Sequence, residues 1–431
     1  VSDNAFYVRS SPDSTQGTDV GVGYYAGART ALPTGIALCD GANYSQALFP
    51  KSYAALGDRF SRSTNVHVNG KPWKSSPTAS GTITSWTTGT SLPGVLKDSQ
   101  AVVTKNRVYL LGGSNDSSYL ATVYTAPINS DGTLGTWTTG TSLPGNLKQS
   151  QAVMTKDRVH LMGGDNGSSV STVYTAPVNS DGTLGTWTTG TSLPAAKHTA
   201  SAVVTKDRVY LMGGDNGSGL VSNVYTAPVN SDGTLGSWST TTSLPGGLRF
   251  SQAVVNGNWV YLLGGGTPNA VSTVYRARVY DDGSLGAWST DTSLPGVLRM
   301  SQAVVVKNYV YLLGGSITST SVSTVYMAQI NADGSIGAWT TGTSLPGNLE
   351  VSQAIITKDH VYTLGGWNGS NTVSTVYVGA ASGAGLNDYL TGTTLSCYLP
   401  ATGGSEFAVP RLPLINDSGI VHLLYPYVSL K

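Results

Sequence analysis

Trp86-Thr87-Thr88-Gly89-Thr90-Ser91-Leu92-Pro93 returns almost unchanged as Trp137-Thr138-Thr139-Gly140-Thr141-Ser142-Leu143-Pro144, and again from Trp187, Trp238, Trp288 and Trp339, at steps of 50 or 51 residues. The fourth and fifth copies read Trp-Ser-Thr where the others read Trp-Thr-Thr. In phase with these tryptophans run Gly-Gly pairs ending at Gly113, Gly164, Gly214, Gly265, Gly315 and Gly366, each followed by a tyrosine at Tyr124, Tyr174, Tyr225, Tyr275, Tyr326 or Tyr377. Such self-similarity at a fixed period marks a repeat architecture. Within one period, residues 101–104 and 108–111 are apolar, β-branched runs joined by Lys105-Asn106-Arg107, and residues 121–128 and 134–139 are joined by Asn129-Ser130-Asp131-Gly132. This predicts a four-stranded antiparallel sheet in each repeat.

A sheet of about 20 residues cannot bury both faces alone, so such units stack radially into a β-propeller. The first Trp precedes the first Gly-Gly, and Tyr377 has no Trp after it. Residues 83–88 are therefore expected to supply the outer strand of the last blade, which ties the two ends of the ring together. The order Gly-Gly, Tyr, Trp at this period resembles the kelch family over roughly residues 80 to 380, and the resemblance implies six propeller blades. Identical aromatics at identical positions are what packing between blades requires, so the Trp, Tyr and Gly-Gly markers are read as scaffold.

The repeats disagree in one place. From Trp to the next inner strand is 13 residues in every copy, from there to the second Gly is 14, and only the segment from Gly-Gly to Tyr varies, between 11 and 10. That loop shares a face with the connection between blades, and variable loops on a rigid scaffold are where binding concentrates. At the equivalent position of each connection stand Lys97, Lys148, His198, Arg249, Arg299 and Glu350, readable as a cationic rim or as inter-blade structure. Beside them, Gln100, Gln151, Gln252, Gln302 and Gln353 are expected to present amides to sugar hydroxyls or to fill the channel with water-bridged partners. The ligand-binding candidates are Trp367, Tyr119, Lys97, Lys148, Arg249 and Arg299. Trp367 is the sharpest of them, because the same position holds Ser114, Asp165, Asp215, Gly266 or Ser316 in the other repeats. An indole in a polar loop offers a flat apolar face to a sugar ring, and the neighbouring cations would favour acidic sugars or phosphates.

Composition narrows the partners. Charged residues make up 11% of the 431, and 24 basic side chains balance 23 acidic ones, so no global field attracts a nucleic acid or an anionic membrane. No apolar run approaches the ~20 residues of a membrane span. Cys39 and Cys397 are read as buried thiols, a single bridge between them being the other arrangement, and no Cys or His neighbours have metal-ligand spacing. Neither a metal nor a cofactor is expected. The chain begins at Val1 without a methionine, and it is expected to continue something longer that lies before Val1.

The flanks have a different character. Pro33-Thr34-Gly35-Ile36-Ala37-Leu38-Cys39-Asp40-Gly41, followed by Tyr44, Phe49-Pro50 and Leu56-Gly57, resembles the first half of the phage tail collar domain, with Phe49 where that family has Tyr. Its continuation is similar to Phe407-Ala408-Val409-Pro410-Arg411-Leu412, with Arg411 replacing an Asp, and to the ending at Leu424 to Lys431. The expected fold is thus all-β: a six-bladed kelch-like β-propeller inserted into a small mixed tail collar-like domain. Residues 1–31 would connect, residues 32–78 and 385–431 would be the two halves of the collar-like domain, and residues 79–384 would be the propeller. The resemblance implies a distal tail-fibre receptor-binding protein of a tailed phage or related contractile particle. It would sit on the virion at the tail-fibre tip, exposed to the medium and attached to the rest of the fibre or baseplate. It would act as a homotrimer joined through the collar-like domain, adhering to a host-surface glycan or outer-membrane receptor without entering the membrane. Some fibre tips hold metal through a His-x-His pair, and His67-Val68-Asn69 lacks the second His.

A non-enzyme is expected, with no catalytic residue assigned. The alternative is a glycan-degrading tail enzyme, which would need two carboxyl groups about 5 to 9.5 Å apart, one of them with a raised pKa. Its candidates on the variable face are Asp98, Asp116, Asp165, Asp215 and Glu350.

Overall fold

The computed structural model describes residues 82–205 and 207–381 in full, and outside them the backbone of short strands between residues 5 and 72 and between 406 and 422. The chain divides into two compact units, Ala79–Gly392 and a second formed by Val1–Thr78 together with Thr393–Lys431. Within the second unit, Asn43–Ser45 pairs antiparallel with Glu406–Ala408, and Ala5–Arg9 lies between Val22–Tyr25 and Ile36–Leu38. Cys39, Cys397 and most of the collar-like motifs fall outside the described residues.

The first unit is a six-bladed β-propeller, with no helix among the described residues. In blade 1 the strands are Gln100–Val103, Arg107–Leu111, Val123–Pro127 and Thr138–Thr139, in that order from the axis outward. The third and fourth strands are shorter than the sequence predicts, because Ile128 and Leu134 meet only in an isolated bridge at the base of the Asp-Gly turn. The second strand of each blade is buried on both faces, as Val108, Tyr109, Leu110 and Leu111 illustrate, so its apolar run does not alternate.

Ile83–Thr88 pairs with Val376–Ala381 and completes blade 6. Its Trp86 behaves like four of its five counterparts, Trp137 Nε1 being without a partner. Trp86 Nε1 donates to Thr343 O of the preceding blade at 2.9 Å, as Trp187 does to Thr141 O, Trp238 to Thr191 O, Trp288 to Thr242 O and Trp339 to Thr292 O. The cores lie between blades: Val102, Leu111 and Val123 of blade 1 pack on Val159, Leu161 and Ala176 of blade 2, and Leu364 and Val376 of blade 6 pack on Val108 and Leu110 of blade 1.

The two faces of the disc are built differently. On the face bearing the Asp-Gly turns, a tyrosine of blades 1, 4 and 6 grips the turn of the next blade. Tyr109 OH donates to Gly182 O at 2.8 Å, Tyr261 OH to Gly334 O at 2.7 Å and Tyr362 OH to Gly132 O at 3.2 Å. The near-identity of these turns suits that clamp, since those at Gly132, Gly182, Gly233 and Gly334 present the same carbonyl to a ring of the neighbouring blade. On the opposite face, Gly-Gly pairs receive the connection leading into the next blade. A Cβ at Gly112 would stand 2.3 Å from Leu147 O, and one at Gly365 2.4 Å from Leu96 O across the closure.

Candidate functional site

The connections between blades and the variable loops meet as one rim. Lys97 bridges to Ser114, Lys148 to Asp165, His198 to Asp215, Arg249 to Gly266, Arg299 to Ser316 and Glu350 to Trp367, each as a short antiparallel contact. The two sets of positions singled out in the sequence are therefore backbone neighbours in every blade.

Their side chains are engaged with one another. The Lys97 ammonium contacts Asp116 Oδ1 and lies 4.4 Å from the centre of the Trp367 ring, which belongs to the adjoining blade. Lys148 Nζ is 3.7 Å from Asp165 Oδ2 and 4.2 Å from the centre of the Tyr119 ring. Arg249 reaches Asp215 Oδ2 at 3.5 Å, Arg299 donates to Thr318 O at 2.8 Å, and His198 Nδ1 meets Ser169 Oγ at 2.8 Å. The hydrogen bonds from Lys97 and Thr372 hold the Asp116 carboxyl below the usual range. Three cations of this rim are thus offset locally by carboxylates, which leaves little surplus charge for an anionic ligand. The structure brings Trp367, Lys97 and Asp116 together across the boundary between blades 6 and 1, and Tyr119, Lys148 and Asp165 across the boundary between blades 1 and 2. Arg249 and Arg299 stand apart from both groups, each with its own partner.

Three of the glutamines, Gln100, Gln151 and Gln353, have a different task from the one expected of them. Gln100 Oε1 accepts from Ala152 N, Gln151 Oε1 from Ala202 N and Gln353 Oε1 from Ala101 N, at 3.3, 3.1 and 3.0 Å. Their amide nitrogens donate to Ser99 O, Ser150 O and Ser352 O. These side chains stitch one inner strand to the next, because the first strands stand side by side around the axis with backbone amides that no ladder partner satisfies.

Between rim and channel lies a feature that sequence reasoning missed. Asp98, Gln149, Thr199, Phe250, Met300 and Val351 occupy the same position in the six blades, and all have φ between 48° and 57°, in the left-handed region. Their amides and carbonyls close a circle: Gln149 N donates to Asp98 O, Thr199 N to Gln149 O, Phe250 N to Thr199 O, Met300 N to Phe250 O, Val351 N to Met300 O and Asp98 N to Val351 O, at 2.9 to 3.2 Å. Left-handed backbone at Thr199 and Val351 is costly for β-branched residues, roughly 1–3 kcal/mol each, and persists where its surroundings enforce it. These side chains line a cavity of about 50 Å³ on the axis, open at the rim. Burial pushes the Asp98 carboxyl up, against the hydrogen bond from Gln149 Nε2 (3.2 Å) and the nearby Lys148 and Lys97. The signal was present as the most varied residue at a constant phase, immediately after the rim position.

Among the described residues no group of three or more His, Cys, Asp or Glu side chains is placed to hold a metal ion. Of the carboxyls on this face, Asp116, Asp165 and Asp215 are paired with cations, and burial raises that of Asp98.

No protein-family model matches the sequence, and no curated protein is recognisably similar to it. Its fold has solved counterparts: the structure of YjhT aligns with 66% of this chain and 95% of that one, at a TM-score of 0.55 and 14% identity. That likeness shows the six-bladed propeller fold.

Proposed function

We propose that the chain is a receptor-binding protein of a tailed phage or related contractile particle, whose kelch-like propeller, carried on tail collar-like flanks, adheres to a host-surface glycan through its rim. The observation that carries the reading is the asymmetry of the disc. One face repeats near-identical Asp-Gly turns, three of them held by the same Tyr-to-Gly clamp, whereas the other gathers loops that differ in length and chemistry around aromatic and hydrogen-bonding side chains. The pairing of rim cations with Asp116, Asp165 and Asp215 favours a neutral, hydroxyl-rich ligand over the acidic sugars expected from the cations alone. The collar-like motifs on both flanks support the tail context, and the homotrimer with them.

The test is retention of the full chain on an array of bacterial surface glycans, and on intact cells of candidate hosts. Trp367→Ala is expected to lower retention roughly tenfold or more, as loss of an aromatic anchor does, at an unchanged melting temperature. Arg249→Ala with Arg299→Ala is expected to weaken it less, because those guanidinium groups already serve Asp215 and Thr318. Unaltered retention in Trp367→Ala, or a fall that tracks lost stability, would return Trp367 to the scaffold. Release of new reducing ends from a retained glycan would shift the reading to the degrading enzyme.

A further inference from the structure

The circle at the channel mouth is divided by chemistry. Asp98, Gln149 and Thr199 follow one another along the hydrogen-bonded ring and form a polar arc, and Phe250, Met300 and Val351 complete it as an apolar arc. The backbone is the same in all six places, so the division lies in the side chains alone. Five of the six are partly exposed and Thr199 is buried, and the apolar three leave hydrocarbon facing a wet opening on one side of the axis.

We propose that the channel mouth receives the terminal residue of a glycan edge-on and selects a 6-deoxyhexose, its hydroxyls turned to Asp98 and Gln149 and its C6 methyl to Phe250, Met300 and Val351. The inference rests on the glycan-binding reading and specifies the sugar. A cavity of about 50 Å³ is too small for a whole hexose and large enough for one edge of it, which calls for a chain end. Asp98 and Gln149 supply carboxylate and amide acceptors within one hydrogen-bonded pair, suited to adjacent hydroxyls. The three side chains of the opposite arc carry no group that bonds a hydroxyl, apart from the weak acceptor sulfur of Met300, and of the glutamines that line the cavity beside them Gln302 and Gln353 already donate to Ser301 O and Ser352 O, so a C6 hydroxyl held against that arc would lose its water without a strong replacement. A methyl at the same place gains contact.

The experiment is calorimetric titration of the full chain with two pairs of methyl glycosides that differ only at C6: L-fucoside against L-galactoside, and L-rhamnoside against L-mannoside. The expected result is that, in at least one pair, the 6-deoxy sugar binds tenfold or more tightly, the scale of discrimination when a polar group is buried unpaired. Asp98→Asn, which suits the left-handed backbone, should weaken both members of that pair. Met300→Gln should narrow the preference between them. Equal affinity within both pairs, or a preference indifferent to Asp98→Asn and Met300→Gln, overturns the proposal. If the array still retains the chain through Trp367 while the C6 pairs do not differ, the glycan-binding reading survives and the channel-mouth inference falls; if no glycan is retained, both fall.

Discussion

Replacing Lys197 with leucine is expected to stabilise the propeller by roughly 2 kcal/mol at neutral pH, and the gain should vanish as the pH is raised from 8 to above 10. Lys197 stands where the other repeats carry Leu96, Leu147, Leu248, Leu298 and Leu349, and it is as deeply buried as they are, with 2% of its surface exposed. Its ammonium donates to Asn223 O at 2.9 Å and lies 4.1 Å from the centre of the Tyr225 ring, and burial lowers its pKa from 10.5 to about 8. A shift of that size corresponds to about 3 kcal/mol of penalty on the charged form, and the ring contact returns roughly 1. The folded pKa lies below the unfolded one, so the penalty is complete below pH 8. Between 8 and 10.5 the unfolded chain holds a proton that the folded one has released, and stability rises with pH. In Lys197→Leu that rise is absent. Asn223 O keeps its bond from Gly213 N (3.1 Å), so the substitution leaves no carbonyl unpaired. Urea midpoints of the two proteins, compared at each pH from 7 to 10.5, give the difference directly, and the raised tyrosines Tyr261 and Tyr311 cancel in it. A variant no more stable than the parent at pH 7 would mean that the amine is satisfied where it stands.

How much of this was legible in the sequence depends on which link carries it. The blade count and the closing strand were readable because Trp86 lies before the first Gly-Gly and Tyr377 after the last Trp, and a ring with matched gaps closes in one way. The shared face of loops and connections followed from strand order alone. The destination of a side chain was not readable. Gln100 and its equivalents look free in a repeat pattern, and only the approach of the next inner strand shows the amides at Ala152, Ala202 and Ala101 that they satisfy. Lys97 and Arg249 look like a cationic rim until Asp116 and Asp215 appear beside them, from loops whose course no periodicity dictates. The channel-mouth residues were in plain view at a constant spacing, yet their importance comes from a backbone circle that has no counterpart in any single repeat.

His160→Tyr is expected to remove the largest single source of acid sensitivity in the described propeller between pH 6.5 and 4. His160 stands where the other blades carry Tyr109, Tyr210, Tyr261, Tyr311 and Tyr362, of which Tyr109, Tyr261 and Tyr362 make the clamp, and it is 1% exposed. Its Nε2 lies 3.0 Å from Gly233 O and 2.9 Å from Thr155 Oγ1, which itself donates to Gly233 O. Burial lowers its pKa from 6.5 to about 4, although the Gly233 carbonyl favours the charged form. Above pH 6.5 the ring is neutral in both states. As the pH falls from 6.5 to 4 the unfolded chain takes up a proton that the folded one refuses, and about 3 kcal/mol of stability is lost over that window. The carboxyls of the Asp-Gly turns, such as Asp131 and Asp181, are held below their usual value by Thr133 and Thr183, so their contribution is lost only as the pH falls below about 3.8. Tyrosine has a ready template in blade 6, where Tyr362 OH and Thr357 Oγ1 both donate to Gly132 O. The variant should therefore match the parent near pH 7.5 and exceed it by about 3 kcal/mol at pH 4, measured by urea unfolding at each pH. Parallel pH profiles for the two proteins would place the acid sensitivity elsewhere and would mean that the imidazole is charged in the folded blade.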